Sequence, residues 1–80
     1  MSATVPTAAE LRDTLAHILA GAAGGTEEEW RAAIGEIEKL PTWANIRSNW
    51  AVHPTGSAKQ LAAIEKAVEV VRAAQPYVAG

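Results

Sequence analysis

Three short patterns, Thr7 with Glu10, Thr26 with Glu29 and Ser57 with Gln60, constrain this chain more than anything else in it. In each, the hydroxyl can accept the backbone amide three residues on, while the longer side chain reaches back to the amide of the capping residue. The first orphan donors of a helix are then satisfied reciprocally. Three capping boxes in 80 residues predict three helix starts and leave one long interval, residues 41–57, with no box of its own.

Behind the first box, Leu11, Leu15, Ile18, Leu19 and Ala22 recur at helical spacing, and Gly21, Gly24 and Gly25 supply a stop, so a helix is expected over about 8–21. Residues before Pro6, with Thr4 and Val5 β-branched, read as a frayed end or a short edge strand. Behind the second box, Glu27, Glu28 and Glu29 occupy the first turn, where the helix dipole favours negative charge. Trp30, Ala33, Ile34, Ile37 and Leu40 continue as an apolar face until Pro41 removes the next donor. Gly35 falls on the exposed side of that helix, at a cost of about 1 kcal/mol relative to Ala.

The third box opens a helix over about 58–75. Leu61, Ile64, Ala67, Val68, Val71 and Ala74 form its stripe, and Ala63 and Val70 widen it enough to predict neighbours on two sides. Glu65, Lys66, Glu69 and Arg72 mark the solvated face. Pro76 stops the helix before Tyr77 and Val78, a pair suited to a short terminal strand or to covering a hydrophobic edge.

The interval between helices two and three admits two readings. As a strand, Ala44, Ile46, Ser48, Trp50 and Val52 point one way and Asn45, Arg47, Asn49 and His53 the other; as a helix, Trp43, Ile46 and Trp50 share a face. Propensity favours a turn near 41–46 followed by a strand at about 48–53. Such a strand needs a partner: the N-terminal segment, the Tyr77–Val78 tail, or the same strand of a second copy. The expected fold is therefore a single helix-dominated α+β domain over residues 1–80, with two N-terminal amphipathic helices, a turn and short strand, one long helix and a short tail. An all-α bundle is the alternative.

Composition bounds the function. The chain has no cysteine, which excludes disulfides, thiolate metal sites and a Cys nucleophile and fits a cytoplasmic setting. No apolar run approaches the roughly 18 residues of a membrane span, and the first residues lack a signal-peptide pattern, so a soluble, unprocessed chain is expected. Alanine is the commonest residue and Phe is absent, which favours closely packed helices with Leu, Ile, Val and Trp between them. The net charge of −2 conceals a gradient. Up to Glu38 acids dominate; residues 39–64 carry Lys39, Arg47 and Lys59 with no acid; the remainder balances.

Candidate chemistry is sparse. His17 lies four residues after Asp13, a surface pair rather than a zinc site, and no cofactor or metal is expected. His53 beside Ser48, Thr55 and Ser57 lacks a carboxylate within the acid-free stretch to orient it, so no catalytic residue is assigned and the chain reads as a non-enzyme. The His53–Lys59 turn offers amides to an anion at a helix start, but Ser57 is expected to cap them itself. Arg47, Lys59 and Lys39, with Asn45, Asn49 and a Trp, make a small basic and aromatic patch that supports a nucleic-acid-binding regulator as one alternative. A dimeric structural or accessory subunit using the strand is another.

The candidate partner-binding set is Glu27, Glu28, Glu29, Glu36, Arg47, Trp50 and Lys59. The leading expectation is a protein-binding inhibitor or regulator, monomer or homodimer, that blocks a surface on a larger protein complex, with no membrane partner. In size, acidic balance and lack of catalytic groups the chain resembles the small phage-encoded inhibitors of bacterial defence, anti-CRISPR proteins among them; the resemblance is one of general character and carries no motif. It implies a target surface that handles nucleic acid, against which Glu27, Glu28, Glu29 and Glu36 would act.

Overall fold

The computed structural model describes residues 5–44 and 47–79. All three capping boxes form with both of their hydrogen bonds and open α1 (Ala8–Ala23), α2 (Glu27–Ile34) and α3 (Ala58–Ala74). Helix α1 packs on both of the others. Between α2 and α3 lies an antiparallel hairpin of β1 (Glu38–Lys39) and β2 (Trp50–Ala51), with Glu38 opposite Ala51 and Lys39 opposite Trp50. The fold is the expected helix-dominated α+β arrangement with a long C-terminal helix.

Helix α2 is shorter than its apolar periodicity implies. Gly35 adopts φ 72°, a left-handed conformation costly for any residue with a Cβ, and its amide closes on the Arg31 carbonyl, so the helix ends at Ile34 rather than Pro41. Ile37 stays buried without being helical. The spacing of Ile34, Ile37 and Leu40 thus reflects burial continued by irregular backbone on either side of β1, and the expected exposed helical glycine is instead the helix terminator.

That early stop supplies the partner the strand needs. β2 pairs with β1 on one side, and on the other the Asn49 amide donates to the Pro76 carbonyl at 3.1 Å. The Asn49 side chain, 3% exposed, then behaves like a second backbone unit: its Nδ2 donates to the Val78 carbonyl at 3.0 Å and its Oδ1 accepts the Val78 amide at 2.7 Å. The tail continues to the N-terminal segment, where Ala79 bridges Thr7 in parallel and donates to the Pro6 carbonyl. Of the expected partners only the tail meets the strand, at Asn49; the N-terminal segment pairs with the tail instead, and the strand's ladder partner is β1, in a stretch the periodicity assigns to helix. Thr4 lies outside the described residues.

The core gathers Leu11, Leu15, Ala16 and Leu19 of α1, Trp30 and Ile34 of α2, Trp50 of β2, Ile64, Val68 and Val71 of α3 and Val78 of the tail. Two features of α3 differ from expectation. Val70 is 65% exposed, because it lies about 200° around the helix from buried Val68. Arg72, read as solvated, is half-buried with its guanidinium 4.3 Å from the centroid of the Trp50 ring. On α1, Ile18 and Ala22 are exposed and Ala16 takes the core position.

The helix C-termini are closed by side chains from elsewhere in the chain. The Trp30 indole donates to the Gly24 carbonyl at the end of α1 (2.8 Å), and the Trp50 indole to the Gln75 carbonyl at the end of α3 (2.9 Å). Arg12 donates through Nε and Nη2 to the Arg31 carbonyl in the last turn of α2, at 3.1 and 2.8 Å. Each such donor bonds a carbonyl at the end of one helix from a side chain on another element and so fixes the two against each other.

Candidate protein-binding site

The hairpin loop between β1 and β2 is closed at its base, where the Leu40 amide donates to the Asn49 carbonyl at 2.6 Å. It begins with a tight turn in which the Ala44 amide reaches the Pro41 carbonyl (3.2 Å). This turn carries Trp43 outward. Its ring is 85% exposed, whereas Trp30 is 7% and Trp50 1% exposed. Both buried indoles have their N–H satisfied by a helix-end carbonyl, and Trp43 makes no hydrogen bond among the described residues.

Charge around the loop is one-sided. Arg47 is exposed, and of the four guanidinium groups it alone has no hydrogen bond or ion pair among the described residues. Arg12 serves α2, Arg31 pairs with Asp13 and Glu27 (both 3.6 Å), and Arg72 donates to the Ser48 hydroxyl and the Trp50 carbonyl. Lys39 stands exposed at the base of the loop, and the adjacent carboxylate of Glu38 is taken by His53 at 2.8 Å. Leu40, Ala44, Arg47, Ser48 and Trp50 line a shallow depression beneath the loop. A second groove runs between residues 51–54 and α3, along Val52, Pro54 and Leu61.

Five of the seven residues expected to bind a partner are exposed, Glu29 among them although its carboxylate is engaged in a cap, and Glu27 and Trp50 are not. The other four are Glu28, Glu36, Arg47 and Lys59. Glu27 is half-buried and held by Arg31 and His17, and Glu29 is engaged in the Thr26 capping box. Trp50 is the correction with the largest consequence: buried under Arg72 and bonded to Gln75, it cannot serve as a surface anchor or stacking platform. Glu36 also lies elsewhere than expected, beyond the end of α2, beside Ala8, Ala9, Arg12 and Ile37. The four acids therefore do not form one helix face.

The basic and aromatic patch changes in the same way. Asn49 is buried and spent on Val78, and Asn45 and Ile46 lie outside the described residues. Ser57 does cap the amides of α3, with its hydroxyl 3.2 Å from the Gln60 amide, so the turn before that helix is closed as expected. His17 meets Glu27 at 3.2 Å, not Asp13. His53 does find a carboxylate, since the acid missing from its own stretch arrives from β1 across the strand pair. Its ring makes no hydrogen bond to a hydroxyl among the described residues, and no group of three or more His, Asp or Glu suited to a metal occurs among them.

Trp50, expected in the partner-binding set, is buried, and Trp43, outside that set, is exposed. The local cue is Pro41 as a breaker two residues before Trp43, because a residue in a turn has no strand or helix face with which to enter the core. No protein-family model, curated protein or solved structure matches the chain. No helix among the described residues is long and apolar enough to cross a membrane.

Proposed function

We propose that this chain is a non-enzymatic protein-binding module that acts by occupying a surface on a larger partner, with the β1–β2 loop as its anchor. The observation that carries this reading is the exposure of Trp43 in a chain whose other tryptophans are buried and hydrogen-bonded. A Trp side chain buries about 150–250 Å² when covered. At about 25 cal/mol per Å² this is a gross driving force of about 4–6 kcal/mol, to be set against the cost of association. Trp is also the residue type most enriched among interface hot spots.

The finer form of the proposal is an inhibitor of the phage-encoded, anti-CRISPR type directed at a nucleic-acid-handling complex. The acidic N-terminal half and the exposed Glu28 and Glu36 support it as a second, weaker contact with a basic region of such a target. The nucleic-acid regulator is left with Arg47, Lys59 and Lys39 as cations once Trp50 and Asn49 are buried, fewer than the six or so phosphate contacts from which duplex binders commonly draw their affinity.

Immobilised chain should retain a protein from a host lysate, and Trp43→Ala should lose it while keeping the helical signature in circular dichroism. Glu28→Lys with Glu36→Lys should weaken capture less. Undiminished retention by Trp43→Ala would remove the loop from the binding site.

A further inference from the structure

We infer that the surface received by this loop is an apolar pocket rimmed by carboxylates on a protein partner: the Trp43 ring enters the pocket, and Arg47 and Lys39 pair with its rim. The inference deepens the loop reading and rests on it. Its ground is charge complementarity. Residues 39–64 contain no acid, so no carboxylate of the loop itself neutralises its cations. The nearest acid in sequence, Glu38, is held by His53 at 2.8 Å. Arg47 is exposed and unpaired among the described residues, in a molecule whose other guanidinium groups each serve an internal contact.

An exposed indole and an exposed guanidinium in one loop match the composition of interface centres, where Trp and Arg are enriched, and Lys39 at the base of the loop adds a second positive charge. Guanidinium binds carboxylate in a bidentate fork, which adds orientation to the attraction. A protein partner fits better than nucleic acid, because two or three cations on a chain of net charge −2 release few counterions.

The probe is a random copolymer of glutamate and tyrosine, with polyglutamate, polylysine and oligothymidylate as comparators, titrated against the full chain by fluorescence anisotropy. The copolymer should bind, polylysine should not, and both Trp43→Ala and the double reversal Arg47→Glu, Lys39→Glu should weaken binding by about thirtyfold or more, as loss of a hot spot does. All three substitutions are at exposed positions, and an unchanged urea midpoint verifies that each variant folds.

Copolymer binding that survives the charge reversal but not Trp43→Ala overturns the carboxylate rim and leaves the loop reading intact. Tight, steeply salt-dependent binding of oligothymidylate overturns the inference in favour of nucleic acid. A mass that doubles with concentration and is halved by Trp43→Ala overturns it in favour of a second copy, and failure to bind any probe overturns it outright. Lysate capture undiminished in Trp43→Ala overturns the loop reading and this inference together.

Discussion

Trp43 and Trp50 sit on the same hairpin and in the same acid-free stretch of sequence, yet they have opposite fates. Trp50 lies in the ladder opposite Lys39, next to the Asn49 bond to the tail, and its ring is buried in the core. Arg72 covers the ring and the Gln75 carbonyl takes its N–H. Trp43 lies within the turn that Ala44 closes onto Pro41, outside the ladder, and its ring remains in solvent. The two rings differ in burial because one lies on a paired strand covered by Arg72 of α3 and the other within an unpaired turn, not because their chemistry differs.

The comparison is broken most severely at Trp50. Trp50→Ala should cost about 3–5 kcal/mol, a large part of the roughly 4–12 kcal/mol expected for 80 residues, and the variant should be largely unfolded by circular dichroism at room temperature or slightly above it. Next comes Asn49→Ala, which leaves the buried amide and carbonyl of Val78 without their partner at about 1–3 kcal/mol for each group. A urea midpoint lowered with unchanged slope checks it; an unchanged midpoint would mean that water replaces the side chain.

Gly35→Ala is a smaller perturbation with a clean cause. An added Cβ meets nothing within 4 Å, so the cost is that of the φ 72° backbone alone, about 1–2 kcal/mol. It should appear as a fall in melting temperature of about 4–8 °C per kcal/mol for a domain of this size. No change would imply that α2 can run on as a helix and that the hairpin forms without its release. Trp43→Ala stands last, with a stability effect within about 0.5 kcal/mol and a loss of partner capture.

Much of this architecture was legible because helix starts are local. Thr7, Thr26 and Ser57 each announce a helix through a residue three positions away, and all three announcements hold. The end of α2 was hidden because the apolar spacing runs straight through Gly35, and periodicity records burial without recording whether a helix or a turn provides it. The role of Asn49 was invisible for a different reason: its partner, Val78, lies in the tail and reaches it only in the folded chain. The same non-locality concealed Arg72, whose carboxylate-rich helical neighbourhood reads as solvated until Trp50 is placed beneath it.

At the candidate site the charge pattern could be read and the geometry could not. The acid-free stretch with Arg47 was visible at once, whereas the choice between two tryptophans required knowledge of which one the strands would hold. Glu27 and Glu29 show the converse, since acids that look available in sequence are partly spent on an ion pair and a cap.

The most direct test labels the chain with 5-fluorotryptophan and follows the three fluorine resonances, Trp43 being assigned by its absence in Trp43→Phe, as the captured protein is added. The account predicts that the Trp43 resonance alone shows a solvent isotope shift in the free chain and alone moves on binding, with Trp30 and Trp50 unchanged. A complex that forms while the Trp43 resonance stays in place would contradict it.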